Sequence, residues 1–232
     1  MKILRGRSLI AKPIDFRKMR MTGRNKDFRH SRAFTPKVVS GGEERELLEV
    51  RNHLRQYDSA LRTILAALEE GSFKLRPSAI LGLHRDGYEG LSNFAGAYRP
   101  GATVIEGSEF QPPPPAAVPA LVEDMCEYVN DHWNRTTAIH LAAYVMWRLN
   151  WIHPFYEGNG STARMLSYVV LSVRWGGLLP GTPTIPEQIV ANRKAYFSAL
   201  EYSDNAWKNE DLDVSRMEDL LTVLLTKQLG GA

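Results

Sequence analysis

HPFYEGNGSTAR, residues 153–164, sets a histidine, a carboxylate, a Gly-Asn-Gly turn and an arginine within twelve positions. The flanking sequence is apolar nearly all round. Ile139, Leu141, Ala142, Ala143, Val145, Met146, Trp147 and Leu149 precede it, and ARMLSYVVLSVRW follows it, up to Gly176-Gly177. A helix that is hydrophobic on every side is buried by its neighbours. The two flanking segments, roughly 137–150 and from 163 onward, are therefore predicted to be the central helices of the domain. The polar stretch joins them.

The residue types in this stretch point to phosphate chemistry. Glycines at 158 and 160 let the backbone turn sharply and approach a ligand closely. The N–H groups at the start of the next helix, together with its positive dipole end, make an anion site. Arg164, placed on the first turn of that helix, offers forked donors to phosphate oxygens. Glu157, just before the turn, is placed to hold a magnesium ion that bridges phosphates. His153 is able to accept a proton at neutral pH. Each feature alone is ordinary: His-Pro marks a turn, Gly-Asn turns are common, and a helix-start arginine is usually a surface charge. Their conjunction between two buried helices carries the reading.

Outward from the motif the pattern stays helical. Leu47, Val50, Leu54, Tyr57, Leu61, Ile64, Leu65 and Leu68 recur at three- and four-residue spacing from Glu43 to a stop at Gly71. A second helix follows Pro77, and SNFAGAYRPG (92–101) reads as loop. TVIEGSEF (103–110) is short and β-prone on both sides of a glycine, and is predicted to be a hairpin. Four prolines (112–115) lead into a helix striped by Val118, Leu121, Val122, Met125, Cys126 and Val129, which makes Cys126 a core residue. Two amphipathic helices, about 187–203 and 214–228, finish the chain. The fold class expected is all-α, a helical bundle with a small β-hairpin flap.

Composition agrees with a globular domain: 232 residues, 44% hydrophobic and 24% charged, with one cysteine. No run is long and apolar enough to cross a bilayer, and no signal peptide is read, so the expectation is a cytoplasmic protein with no membrane association. The net charge of +3 hides an asymmetry. Residues 1–40 hold twelve Lys/Arg against Asp15 and Asp27, a balance of +10, which leaves −7 for the rest. Residues 1–42 are read as a basic extension and 43–232 as the domain. Such an arm suits nucleic acid, an acidic partner or the body of its own protein, and self-docking or solvation is the expectation rather than nucleic acid.

HPFYEGNGSTAR resembles the signature of Fic-domain proteins, His-Pro-Phe-x-(Asp/Glu)-Gly-Asn-Gly-Arg-x-x-Arg, at His153, Pro154, Phe155, Glu157, Gly158, Asn159, Gly160 and Arg164. The resemblance extends to ELLEVRNHLRQYDSAL, to GAYRPGATVIEGSEFQPPPPAAVPALVEDM and to NRKAYFSALEYSD, and so spans roughly 43–228. It implies a protein adenylyltransferase that takes ATP with Mg2+ and transfers AMP to a Ser, Thr or Tyr hydroxyl of a target protein. His153 is then the general base and Glu157 the metal ligand. Gly158, Asn159 and Gly160 cradle phosphates, and Arg164 holds the terminal ones. Phe155 anchors the loop in the core. Tyr196 and Phe197 are adenine-side candidates, with plain helix packing the equal alternative. Val104, Ile105, Glu106 and Gly107 form the flap that docks the target by strand-like pairing.

The chain departs from the signature at one position. Ser161 stands where the family carries its first arginine, and offers the nucleotide one neutral hydroxyl. A charge-assisted hydrogen bond contributes roughly 1.5–3 kcal/mol against about 1 for a neutral one, a difference of several-fold to about a hundredfold in affinity or rate. The alternatives are a slower adenylyltransferase, compensation by another basic residue, a different phosphate-containing donor, or a degenerate module that only binds. The family's inhibitory pattern, (Ser/Thr)-x-x-x-Glu-(Gly/Asn), is matched poorly by Ser40–Glu44 followed by Arg45, and by Ser215–Asp219 followed by Leu220. No built-in inhibitory helix is expected. Either a small antitoxin-like partner supplies one, or Ser161 leaves activity too low to need it.

Overall fold

A computed structural model of the chain describes residues 42–108 and 110–231, and the backbone of 30–32. In chain order the elements are β1 (His30–Arg32), α1 (Glu43–Glu70), α2 (Pro77–Tyr88), β2 (Val104–Glu106), a 3-10 turn (Pro115–Ala117), α3 (Val118–His132), α4 (Ala138–Ile152), α5 (Asn159–Trp175), α6 (Ile185–Ala191), α7 (Arg193–Trp207) and α8 (Ser215–Gly230). The architecture is all-helical, as expected. None of the described helices is long and apolar enough to cross a membrane.

Helices α4 and α5 form the centre and pack along each other, with α1, α2, α3, α7 and α8 around them. Every residue from Leu141 to Leu149 is buried, and so is every residue from Met165 to Ser172. This is the arrangement anticipated from two helices apolar all round. The connection between them, residues 153–158, is consequently held at both ends by the most buried parts of the molecule. Burial here extends to polar groups. Arg148 lies among the rings of Trp147, Trp151 and Trp207, with its guanidinium carbon 4.3 Å from the Trp151 centroid and 4.6 Å from that of Trp207. The faces of these rings attract the cation.

Three expectations need correction. In α1 the limits are as read, with Gly71 closing the helix at φ 64, and Ile64 is buried while Tyr57 and Leu68 pack against the core, but the rest of the expected stripe is not the inward face. Leu47 is 71% exposed and Val50, Leu54 and Leu65 are also exposed, while Asn52, Gln56, Ala60, Ile64 and Ala67 face inward. The reason is polar pairing. Asn52 Nδ2 donates to the Glu89 carbonyl (2.7 Å) and Gln56 Nε2 to the Leu83 carbonyl (2.9 Å), so both amides enter the α1–α2 contact as donors. The segment expected as one helix over about 187–203 is two, α6 and α7. The chain breaks at Asn192 (φ −141, ψ 87), and α6 opens with a capping box of Thr184 and Glu187.

The third correction concerns the hairpin over 103–110. Among the described residues of this stretch only Val104–Glu106 is strand; the chain turns at Gly107 (φ 75), and the prolines that follow have no N–H to give a returning ladder. Strand β2 pairs instead with β1, antiparallel, with His30 opposite Glu106, Ser31 opposite Ile105 and Arg32 opposite Val104. A short piece of the basic arm therefore lies along the flap. Ile105 is buried, while Val104 and Glu106 are exposed.

Candidate active site at the α4–α5 junction

Helix α4 ends at Ile152, and His153 takes a left-handed conformation (φ 53, ψ 56) that is unfavourable for a residue with a side chain by about 1–2 kcal/mol. Buried hydrogen bonds hold it there. The Arg99 Nε donates to the His153 carbonyl (2.7 Å) and the Arg99 backbone N–H to the Pro154 carbonyl (2.8 Å). The same guanidinium donates to the carbonyls of Gly101 and Pro113, one at each end of the flap segment. Arg99 is 2% exposed. One side chain thus ties the backbone of the histidine to the base of the flap, and strain kept in this way is typical of functional positions.

The imidazole of His153 has its Nδ1 3.2 Å from the Asn150 carbonyl. A carbonyl can only accept, so Nδ1 carries the proton and the basic lone pair is on Nε2. The loop beyond it is built around Phe155, which is fully buried. Asn159 clasps the backbone of Phe155 from both sides, accepting from its N–H (2.9 Å) and donating to its carbonyl (2.8 Å). The side chain expected to help cradle phosphate is therefore engaged in closing the loop, and its contribution to a ligand falls to its backbone.

His84 of α2 stacks on Phe155, with ring centroids 3.6 Å apart and planes 3° from parallel. Its Nδ1 accepts from the Gly96 N–H (3.0 Å), so its Nε2 donates to the Glu157 carbonyl (3.0 Å). Burial pushes its pKa down to about 4, and the ring is neutral at physiological pH. His84 joins the 92–98 loop to the motif and fixes where Glu157 sits.

At Gly158 the backbone has φ 82, and a Cβ there would lie 2.2 Å from the Tyr88 ring. Only glycine fits. Helix α5 begins at the next residue, and the N–H groups of its first turn have no partner within the helix. Arg164 is the sixth residue of α5, not on the first turn as read from sequence. Its guanidinium nevertheless folds back toward that turn, since a Cβ on Gly160 would be 3.2 Å from Arg164 Nη1. Arg193, the first residue of α7, has its pKa lowered by burial and then by the positive charge of Arg164. Two guanidinium groups are thus within electrostatic reach of each other, which suits a polyanion.

Glu157 keeps a partly exposed carboxylate, with Arg45 Nη2 3.9 Å from its Oε2. Among the described residues no group of three or more His, Cys, Asp or Glu is placed to hold a metal ion. Glu157 alone fits the manner in which Mg2+ is held by one or two carboxylates together with substrate phosphates. Ser161 turns its hydroxyl back to the Gly158 carbonyl (3.2 Å), with the Tyr88 hydroxyl 3.4 Å away. Tyr196 is 2% exposed, and its hydroxyl accepts from Asn150 Nδ2 (2.8 Å). It offers no ring face to an adenine. Phe197 is half-buried against the core. The flap residues Val104 to Gly107 lie within the segment that Arg99 ties at Gly101 and Pro113.

Residues 74–171, from before α2 to within α5, match the model of the Fic/DOC family. This segment is a Fic domain. A probable protein adenylyltransferase of Aquifex aeolicus is 27% identical over 163 residues, which cover 70% of this chain and 47% of that protein. The protein adenylyltransferase Fic of Drosophila persimilis is 28% identical over 164 residues, 61% of this chain and 30% of that protein. The chain thus spans less than half the length of these relatives. Among solved structures, a Fic domain containing signaling protein from Bacteroides thetaiotaomicron superposes with a TM-score of 0.65 at 23% identity, covering 83% of this chain and 73% of that one. Fic-1 from Caenorhabditis elegans superposes at 0.60 with 24% identity, covering 83% and 53%. These likenesses show the fold.

Several residues that shape this site were not singled out from the sequence as parts of it: His84, Tyr88, Arg99, Asn150, Arg45 and Arg193. Most act on the backbone of the motif or on its neighbours, and pattern alone does not mark such a role. Arg99 had one signal, an arginine inside the loop-like AYRPG stretch.

Proposed function

We propose that this chain is a protein adenylyltransferase acting on ATP. The observation that carries the reading is the placement of His153. Its Nδ1–H is committed to the Asn150 carbonyl, which puts the basic lone pair on Nε2, and the loop that His153 opens leads into the N-terminus of α5, where the first-turn N–H groups and Arg164 suit phosphate. The names of the curated relatives support the same reaction class.

In this reading a hydroxyl oxygen of the target protein attacks the α-phosphorus of ATP. The bond from the α-phosphorus to the bridging oxygen breaks, pyrophosphate leaves, and the hydroxyl proton passes to His153 Nε2. The first-turn N–H groups of α5 and Arg164 hold the phosphates in line, which is where most of the acceleration in such a transfer arises. Glu157 would hold a Mg2+ that neutralises charge between the phosphates. The target would pair with β2, a strand whose capacity for such pairing is illustrated by its antiparallel ladder with β1.

The reading is tested by incubating the protein and a cell lysate with ATP labelled on either the α- or the γ-phosphate. The α-label should become covalently attached to protein and the γ-label should not. Attachment of the γ-label would indicate phosphate transfer, and attachment of neither would remove the assignment.

A further inference from the structure

The signature places an arginine where this chain has Ser161, so Arg164 is the one motif guanidinium left for the phosphates. A side chain at 161 leaves α5 on the side of Tyr88, as the 3.4 Å separation of Ser161 Oγ from the Tyr88 hydroxyl shows. Beyond Tyr88 on that side runs the first part of α1, where Asn52 is bonded to the carbonyl of Glu89 and Leu48 packs against Gly90. Arg45 projects from this part of α1. Its Nε is 2.8 Å from Glu49 Oε1, one turn on, which fixes the direction of the side chain, and its Nη2 reaches to 3.9 Å from Glu157 Oε2. A guanidinium therefore stands over the motif loop on the side from which the motif's own arginine is missing.

We propose that Arg45 substitutes for that arginine and pairs with the polyphosphate of the bound nucleotide. This rests on the reading of the site as one for ATP. The contact with Glu157 is long and solvent-facing, so it is a weak tether. A phosphate seated on the first turn of α5 offers Arg45 a stronger, bidentate partner. Arg193 does not fill the same place. It belongs to α7, whereas Arg45 projects from α1 and reaches the Glu157 carboxylate.

The test is calorimetric binding of Mg·ATP to the full chain and its variants. Arg45→Ala should weaken binding by about tenfold or more, the range expected for one charge-assisted hydrogen-bonding group. Ser161→Arg introduced into Arg45→Ala should restore most of the loss, and Ser161→Arg in Arg164→Ala should not. An equal fold-loss from Arg45→Ala in the Glu157→Gln background is expected if Arg45 meets phosphate directly. If the loss disappears in that background, Arg45 acts only by orienting Glu157 and the proposal is overturned. It is also overturned if wild type binds Mg·ATP and Arg45→Ala binds it equally well, an outcome that leaves the adenylyltransferase reading intact. Failure of the wild type to bind Mg·ATP overturns both. Thermal unfolding of each variant within a few degrees of wild type excludes a folding defect.

Discussion

Acidification should weaken this protein through His84, the histidine stacked on Phe155. Its ordinary pKa is 6.5 and burial takes it down to about 4 in the folded chain, so between those values the unfolded state binds the proton and the folded state does not. The stability contributed by keeping the ring neutral is fully present above about pH 6.5 and is lost as pH falls toward about 4. Integrating over the two pKa values, the loss between about pH 7.5 and pH 5 is about 2 kcal/mol. The consequence is local as well as global. A proton on Nδ1 removes the acceptor for the Gly96 N–H and puts a charge against Phe155, so the loop carrying Glu157 should loosen first. Urea unfolding of wild type and His84→Gln at the two pH values measures the effect. Wild type should lose about 2 kcal/mol more than the variant on acidification. Equal losses in the two proteins, or a His84 resonance titrating near 6.5, would refute the reasoning.

Further outcomes follow from the motif's neighbours. Gly158→Ala combines an unfavourable φ with a collision against Tyr88, and should cost at least about 2 kcal/mol in chemical denaturation together with nucleotide affinity. Asn159→Ala unclasps both backbone groups of Phe155, and a loss of about 2–3 kcal/mol is expected by the same measurement. Replacing His30 and Ser31 together by proline removes a ladder N–H whichever of the two supplies it. Target labelling should then rise if β1 competes with the target for β2, and unchanged labelling would show that the two strands use different edges.

The centre of the fold was legible because α4 and α5 are apolar on all sides and the motif between them concentrates polar and conformationally special residues. Periodicity placed α1 but misjudged part of its inward face, for a physical reason. It counts apolar side chains, and the inward face there carries Asn52 and Gln56, whose amides are hydrogen-bonded to α2. It failed on the flap because strand pairing is non-local, and the partner of β2 lies in the arm. The boundary at Asn192 has neither glycine nor proline to mark it. In the site, the residues on the motif could be named from sequence, but their duties were less clear. Asn159 serves the loop rather than facing a ligand, Tyr196 is a core residue, and Arg164 begins one turn further along α5. The residues that hold the motif in place, Arg99 and His84, reach it from other elements.

The central claim is that His153 takes the proton of the attacking hydroxyl while α5 holds the phosphates. His153→Ala tests it most directly, with covalent transfer of an α-phosphate label measured beside the binding of Mg·ATP. The account predicts that the variant binds ATP about as tightly as wild type but transfers label at least about a hundredfold more slowly, the usual contribution of general base catalysis. Transfer at the wild-type rate by His153→Ala would contradict it.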